Sequence, residues 1–222
     1  METLGTRILT CAALWLTISG CTVTPPQNEQ AEHRKADTRL ALAQAYLRQG
    51  EPNKAWKNLT LAHQYAPNYL ATHMALAHYY EHVGEFDRAR QEYQDAFKHH
   101  PQSGELLNNY GAFICKQGQY AESLAWFAKA RQQNDYAHIA RNFENAGYCA
   151  LKAQRSNQAI EYFAKSVLHD PTKARTWLTL VDLEIQYGQV SQAQQHLNHY
   201  IARFGENTQA LRRQRFIQAT SH

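Results

Sequence analysis

Hydrophobic and polar positions divide this chain into three zones. Ile8 to Ile18 is a largely apolar run, Thr22 to Lys35 is polar with no apolar periodicity, and from Ala36 onward apolar and small residues return at a fixed interval. That interval is 34 residues, separating Ala43 from Ala77, Tyr46 from Tyr80, Gly50 from Gly84, Ala55 from Ala89, Ala62 from Ala96 and Pro67 from Pro101. Gly84 and Gly118 continue the series. Small side chains let two helices approach to about 8–10 Å while aromatic partners fill the gaps around them. Glycine permits a left-handed turn between helices, and proline ends the second helix and redirects the chain. The pattern predicts an all-α chain of helix-turn-helix units. None of these can bury its apolar face alone, so they must stack into one array.

The same residues resemble the tetratricopeptide repeat, which places small residues at its eighth, twentieth and twenty-seventh positions and proline at the thirty-second. On that frame five units are expected, at 36–69, 70–103, 104–137, 140–173 and 174–205. The third keeps Leu107, Tyr110, Gly111, Gly118, Phe127 and Ala130 but has Ser123 where alanine is usual. The fourth follows a two-residue insertion around Asn134 and Asp135, and the fifth has Gly205 in place of the proline. Residues 206–222, with Leu211, Phe216 and Ile217, read as a capping helix and tail. The resemblance implies a right-handed superhelix ending in that C-terminal capping helix.

Composition supports a folded chain, with 44% hydrophobic and 19% charged residues. The net charge of +4 is mild, and Arg212, Arg213 and Arg215 form one short basic cluster that reads as the solvated face of a terminal helix. With no basic stripe and no recognition motif, nucleic acid is not the expected partner.

The apolar run after Arg7 is too short to span a bilayer and reads as the hydrophobic region of a signal peptide, residues 1–20. Ile18-Ser19-Gly20-Cys21 resembles the lipobox of bacterial lipoproteins, in which the Cys21 thiol would receive diacylglycerol. Thr22 stands where an aspartate would hold such a protein at the inner membrane, so the expected location is the periplasmic face of the outer membrane. Residues 21–35, with Pro25 and Pro26, then read as a lipidated tether. Its fourteen residues from Thr22 to Lys35 would reach roughly 50 Å if fully extended.

Removal of Cys11 and acylation of Cys21 leave Cys115 and Cys149, which fall on the first helices of repeats three and four. An even pair in an oxidising compartment suggests a disulfide, with two buried thiols as the alternative. His78-Tyr79-Tyr80-Glu81-His82 matches the H-x-x-E-H pattern of a zinc peptidase family. Tyr80 occupies a packing position of the repeat, however, and Gly84 its turn, so the match reads as a coincidence of a short motif. There is no G-x-S-x-G elbow and no phosphate loop. The expectation is a binding protein rather than an enzyme, with no metal, cofactor or small-molecule substrate.

Stacked repeats present their first helices on a concave face, where extended peptides commonly bind. The candidate lining is Gln44 and Arg48 from the first repeat and Met74, His78 and His82 from the second. Asn108, Asn109 and Lys116 come from the third, and Arg141, Asn145 and Tyr148 from the fourth. Asn109 and Asn145 share the sixth position, where an amide can bond a bound backbone. The lysine and asparagine pair with which chaperone-binding repeats clamp a carboxylate is not reproduced.

Leu106 to Ala130 (LLNNYGAFICKQGQYAESLAWFAKA), together with the lipobox and the cysteine pair, closely resembles the type IV pilus biogenesis lipoproteins PilF and PilW. The resemblance implies an outer-membrane pilotin that binds the pilus secretin and promotes its localisation and multimerisation. It also implies six repeats, where the residues support five and a terminal helix. The alternative is a lipoprotein adaptor of similar build that recruits peptidoglycan synthases or hydrolases.

Overall fold

A computed structural model of the protein describes residues 27–220. The signal peptide, the lipobox with Cys21 and the start of the tether lie outside the described residues. The described residues form eleven helices: α1 (Gln27–Arg48), α2 (Pro52–Tyr65), α3 (Leu70–Val83), α4 (Phe86–His99), α5 (Gly104–Lys116), α6 (Tyr120–Arg131), α7 (Ile139–Lys152), α8 (Ser156–His169), α9 (Ala174–Gln186), α10 (Val190–Phe204) and α11 (Thr208–Thr220). The first ten pack as five consecutive pairs, and α11 packs on α9 and α10. The fold is an all-α superhelical array.

Local chemistry places the breaks. The turn inside a pair needs a residue in the left-handed region, and Gly50, Gly84, Gly118 and Gly188 supply it with φ between +72° and +82°. The fourth pair has Gln154 at this place, held at φ +59°, where a side chain costs about 1–2 kcal/mol. The second helix of a pair ends where proline forbids helical geometry to its predecessor. Ala66, His100 and Asp170 accordingly leave the helical region, at φ −141°, −132° and −140°, just before Pro67, Pro101 and Pro171.

Helix crossings are built from small side chains. Ala43, Ala55, Ala62, Ala77, Ala89, Ala96, Ala130, Ala159 and Ala193 are all buried, as are Ser123 and Ser166. In the third and fourth pairs glycine occupies the crossing opposite a phenylalanine. A Cβ on Gly147 would lie 2.9 Å from the Phe163 ring, and one on Gly111 would lie 3.1 Å from Phe127.

One expectation is corrected at the N-terminus. Gln27 to Lys35, read as extended tether, is the first part of α1. Beyond Pro26 the segment contains only residues that a helix tolerates well, and tertiary contacts hold it. His33 stacks on Tyr69 with ring centroids 4.1 Å apart, and Ala36 is buried among Ala62 and Ala66. A stretch without apolar periodicity is thus helical as a continuation of α1, docked through His33 on the segment that follows α2.

The core has two large parts and a smaller one between them. An aromatic chain through the first three pairs joins Trp56 to Tyr79 (5.4 Å), Tyr93 to Phe113 (5.2 Å) and Tyr110 to Trp126 (5.0 Å). The last two pairs bury an aliphatic cluster around Phe163, Val167 and Leu180, continuing to Val181 and Leu197. Between them lies a small cluster of Leu124, Phe127 and Ala146 centred on a disulfide between Cys115 and Cys149, whose Cα atoms are 5.9 Å apart.

Candidate functional site

The first helices α1, α3, α5 and α7 line a groove of about 620 Å³. It contains five of the residues expected there, Gln44, Met74, His78, Asn109 and Arg141. Its floor is apolar, from Leu40, Ala41 and Leu47 on α1 and Ala71 and Ala75 on α3. The sequence reading did not include these five. The signal was their place on the same first-helix face as Gln44 and Met74.

The remaining candidates fall elsewhere. Arg48 and His82 are exposed but do not line the groove, and exposed Tyr148 packs edge-on against Phe163 at 4.9 Å. Lys116 lies across the face in an ion pair with Glu81 (2.7 Å). Asn108 is a correction, because it is buried. Its side-chain oxygen accepts from the amides of Asn142 (3.1 Å) and Asn145 (3.3 Å). Asn145 is thereby committed to a neighbouring repeat. Asn109 also uses its amide internally, donating to the Glu105 carbonyl at 2.9 Å.

The H-x-x-E-H segment is absorbed into packing. Glu81 accepts the Tyr93 hydroxyl at 3.0 Å and the Lys116 ammonium at 2.7 Å, while Tyr80 is buried. Burial, reinforced by the Glu81 carboxylate, pushes the Tyr93 phenol pKa upward. A glutamate so engaged is not positioned to activate water between the two histidines. Among the described residues no three His, Cys, Asp or Glu side chains converge as a metal site requires. The groove offers apolar contact, the Gln44 amide, the His78 imidazole, the Asp37 carboxylate and the Arg141 guanidinium.

Helix pairs crossing at small residues, with their first helices facing a common groove, define a repeat scaffold of the kind used for protein interaction. The chain belongs to the tetratricopeptide-repeat family, whose models match residues 74–138 and 150–214. It is 28% identical to the type IV pilus assembly protein PilF of Pseudomonas aeruginosa, over 87% of this chain and 79% of that protein. It is also 38% identical to an uncharacterized protein of Haemophilus influenzae, over 54% of this chain and 67% of that one. The solved PilF structure superposes with a TM-score of 0.70 at 27% identity, covering 86% of each chain. PilW, a type IV pilus biogenesis factor, shares the fold at a TM-score of 0.66 and 22% identity, over 88% of this chain and 91% of that one. These matches make it a PilF/PilW-like repeat protein.

Proposed function

We propose that this chain is a type IV pilus biogenesis protein, an outer-membrane lipoprotein that binds the pilus secretin and promotes its localisation and multimerisation. The observation that carries the reading is the similarity to PilF along 87% of the chain. An apolar groove on the first helices supports it by offering a surface for a partner segment.

The mechanism is tethered capture. Acyl chains on Cys21 would confine the scaffold to the inner leaflet of the outer membrane, and a captured subunit would be concentrated there without any bond-making chemistry. Because Gln27 already belongs to α1, the distance from Cys21 to the folded body is bounded more tightly than the sequence suggested. Six residue steps from Cys21 extend to about 20 Å at most. A body held this close acts on segments near the membrane surface.

The test is the Cys21→Ala protein expressed in place of the native one. The expected result is a soluble body that still binds secretin in a pull-down, with secretin multimers reduced or mislocalised on fractionation. Normal multimers in the outer membrane would reject the tethering step, and loss of secretin binding by the purified body would reject the partner.

A further inference from the structure

The turns between repeats form one continuous edge of the array. The start of α1 shares a cavity with Tyr65 to Tyr69 and His100, and His100 donates from Nε2 to the Asn68 carbonyl at 3.0 Å. The Gly104 amide donates to Asp135 at 3.2 Å, His138 and His169 line one cavity, and Pro171 and His199 line the next. Gln27 belongs to α1 on this edge, so Cys21 lies within about 20 Å of it. The turns inside the pairs lie on the opposite edge, farther from the anchor by about 20 Å, the length of a 14-residue helix such as α3.

Histidine distinguishes the two edges. His33, His99, His100, His138, His169 and His199 lie along the edge nearest Cys21, and four of them, His99, His138, His169 and His199, are exposed. Beside the turns of the opposite edge stands only His82 among the described residues. The permanent charges next to the six largely offset one another. Glu29 and Glu32 stand at His33, with Lys35 paired to Glu32 at 2.7 Å, and Lys98 beside His99 pairs with Asp95 at 2.5 Å. The cavity of His138 and His169 holds Arg141, Lys173 and Asp170, of which Lys173 pairs with Glu144 at 2.7 Å. Thr172 hydrogen bonds keep the Asp170 carboxyl below the usual range, and burial pushes the Tyr136 phenol beside His138 up to about 12. Arg203 lies with His199 and Trp177. Imidazole is the side chain that ordinarily titrates between about pH 5 and 8, so the charge of this edge is set by proton uptake. Leu168, 78% exposed near the end of α8, places an apolar side chain on the same edge.

We infer that this edge lies against the anionic phospholipid surface that holds the anchor, and that the contact tightens as the pH falls. Protonated imidazoles meet headgroup phosphates that stay anionic, and Leu168 enters the interface between them. The tether selects lipid as the occupant, because acyl chains on Cys21 would hold a bilayer surface within about 20 Å of these side chains. The contact orients the array, directing the turns at Gly84 and Gly118 away from the membrane. The inference rests on the anchoring proposed above.

The probe is the mature chain carrying Cys21→Ala, sedimented with vesicles of phosphatidylglycerol in phosphatidylcholine and with vesicles of phosphatidylcholine alone. The expected binding is confined to the phosphatidylglycerol vesicles and is on the order of tenfold stronger at about pH 5.5 than at about pH 7.5. Replacing His138, His169 and His199 together by glutamine should remove most of that rise, whereas His82→Gln should leave it intact. Leu168→Glu should weaken binding at both pH values. Circular dichroism at each pH verifies that the proteins compared are folded. No sedimentation at about pH 5.5, a rise that survives the triple replacement, or an equal loss from His82→Gln would overturn the inference. Mass spectrometry of the native protein extracted from membranes separates the readings. Vesicle binding with no acyl chain on Cys21 leaves this surface standing and removes the anchor, whereas acylation without vesicle binding does the reverse.

Discussion

The junction between the first and second repeats and the junction between the third and fourth solve one problem in different ways. At the first, Pro67 turns the chain directly into α3, and Trp56 packs on Tyr79 and Tyr80 across the boundary. At the second there is no proline, and the seven residues from Gln132 to His138 separate α6 from α7. Tyr136 from this segment folds back on Gly104, where a Cβ would lie 2.3 Å from that of Tyr136. Arg131 donates to Asn142, Asn142 to Asn108, and Cys115 is bonded to Cys149. Burial lowers the Arg131 pKa, which makes its hydrogen bond and its position 4.5 Å above the Phe143 ring the more important. A regular junction is held by repeated, interchangeable packing. An interrupted one needs bonds specific to that place.

The largest break in this comparison should come from replacing Cys115 and Cys149 together by serine. Removing the constraint on a loop of about 35 residues costs roughly 3–4 kcal/mol in the chain-entropy model. Because repeat arrays couple only to neighbours, urea unfolding followed by hydrogen exchange should change from one transition to two, with α7 to α11 losing protection first. A single transition with unchanged midpoint would show that the disulfide is incidental. Asn142→Ala comes next. It removes the acceptor of Arg131 and leaves the buried Asn108 oxygen with Asn145 alone, at a cost of about 2 kcal/mol, with the loss of protection centred on α5 and α7.

Pro67→Ala at the regular junction should cost less, about 0.5–1 kcal/mol, because only the entropy of the unfolded chain changes while the aromatic packing persists. A loss equal to that of Asn142→Ala would erase the distinction between the two junctions. Gln154→Gly sharpens the comparison in the opposite direction. It relieves the left-handed backbone in the fourth pair and should stabilise the protein by about 0.5–1 kcal/mol, read as a rise in Tm.

Much of the fold was legible because each marker acts locally. Gly84 and Gly188 set turns and Pro101 and Pro171 end helices wherever the chain runs, and alanine at a crossing is small in any environment. The groove was only half legible. Asn108 and Asn109 are neighbours on one helix and looked equivalent as letters, yet Asn109 lines the groove while Asn108 is roofed by Asn142 and Asn145. Which of them faces outward depends on how the fourth repeat is set on the third across the insertion, and no single repeat carries that rotation. The apolar floor was missed for a related reason, since Leu40 and Leu47 differ from core leucines only in what covers them.

By itself the sequence determined that the chain folds as stacked helix pairs, that glycines make most of their turns, and which cysteines lie on adjoining repeats. These follow from backbone preferences and side-chain size, which every repeat expresses again. Only the tertiary structure decided that the supposed tether is helical from Gln27, that Glu81 is consumed by Tyr93 and Lys116, and that Arg141 lines both a groove and a second cavity. Those outcomes depend on which charges and faces meet across repeats, and such meetings are fixed by packing between segments distant along the chain.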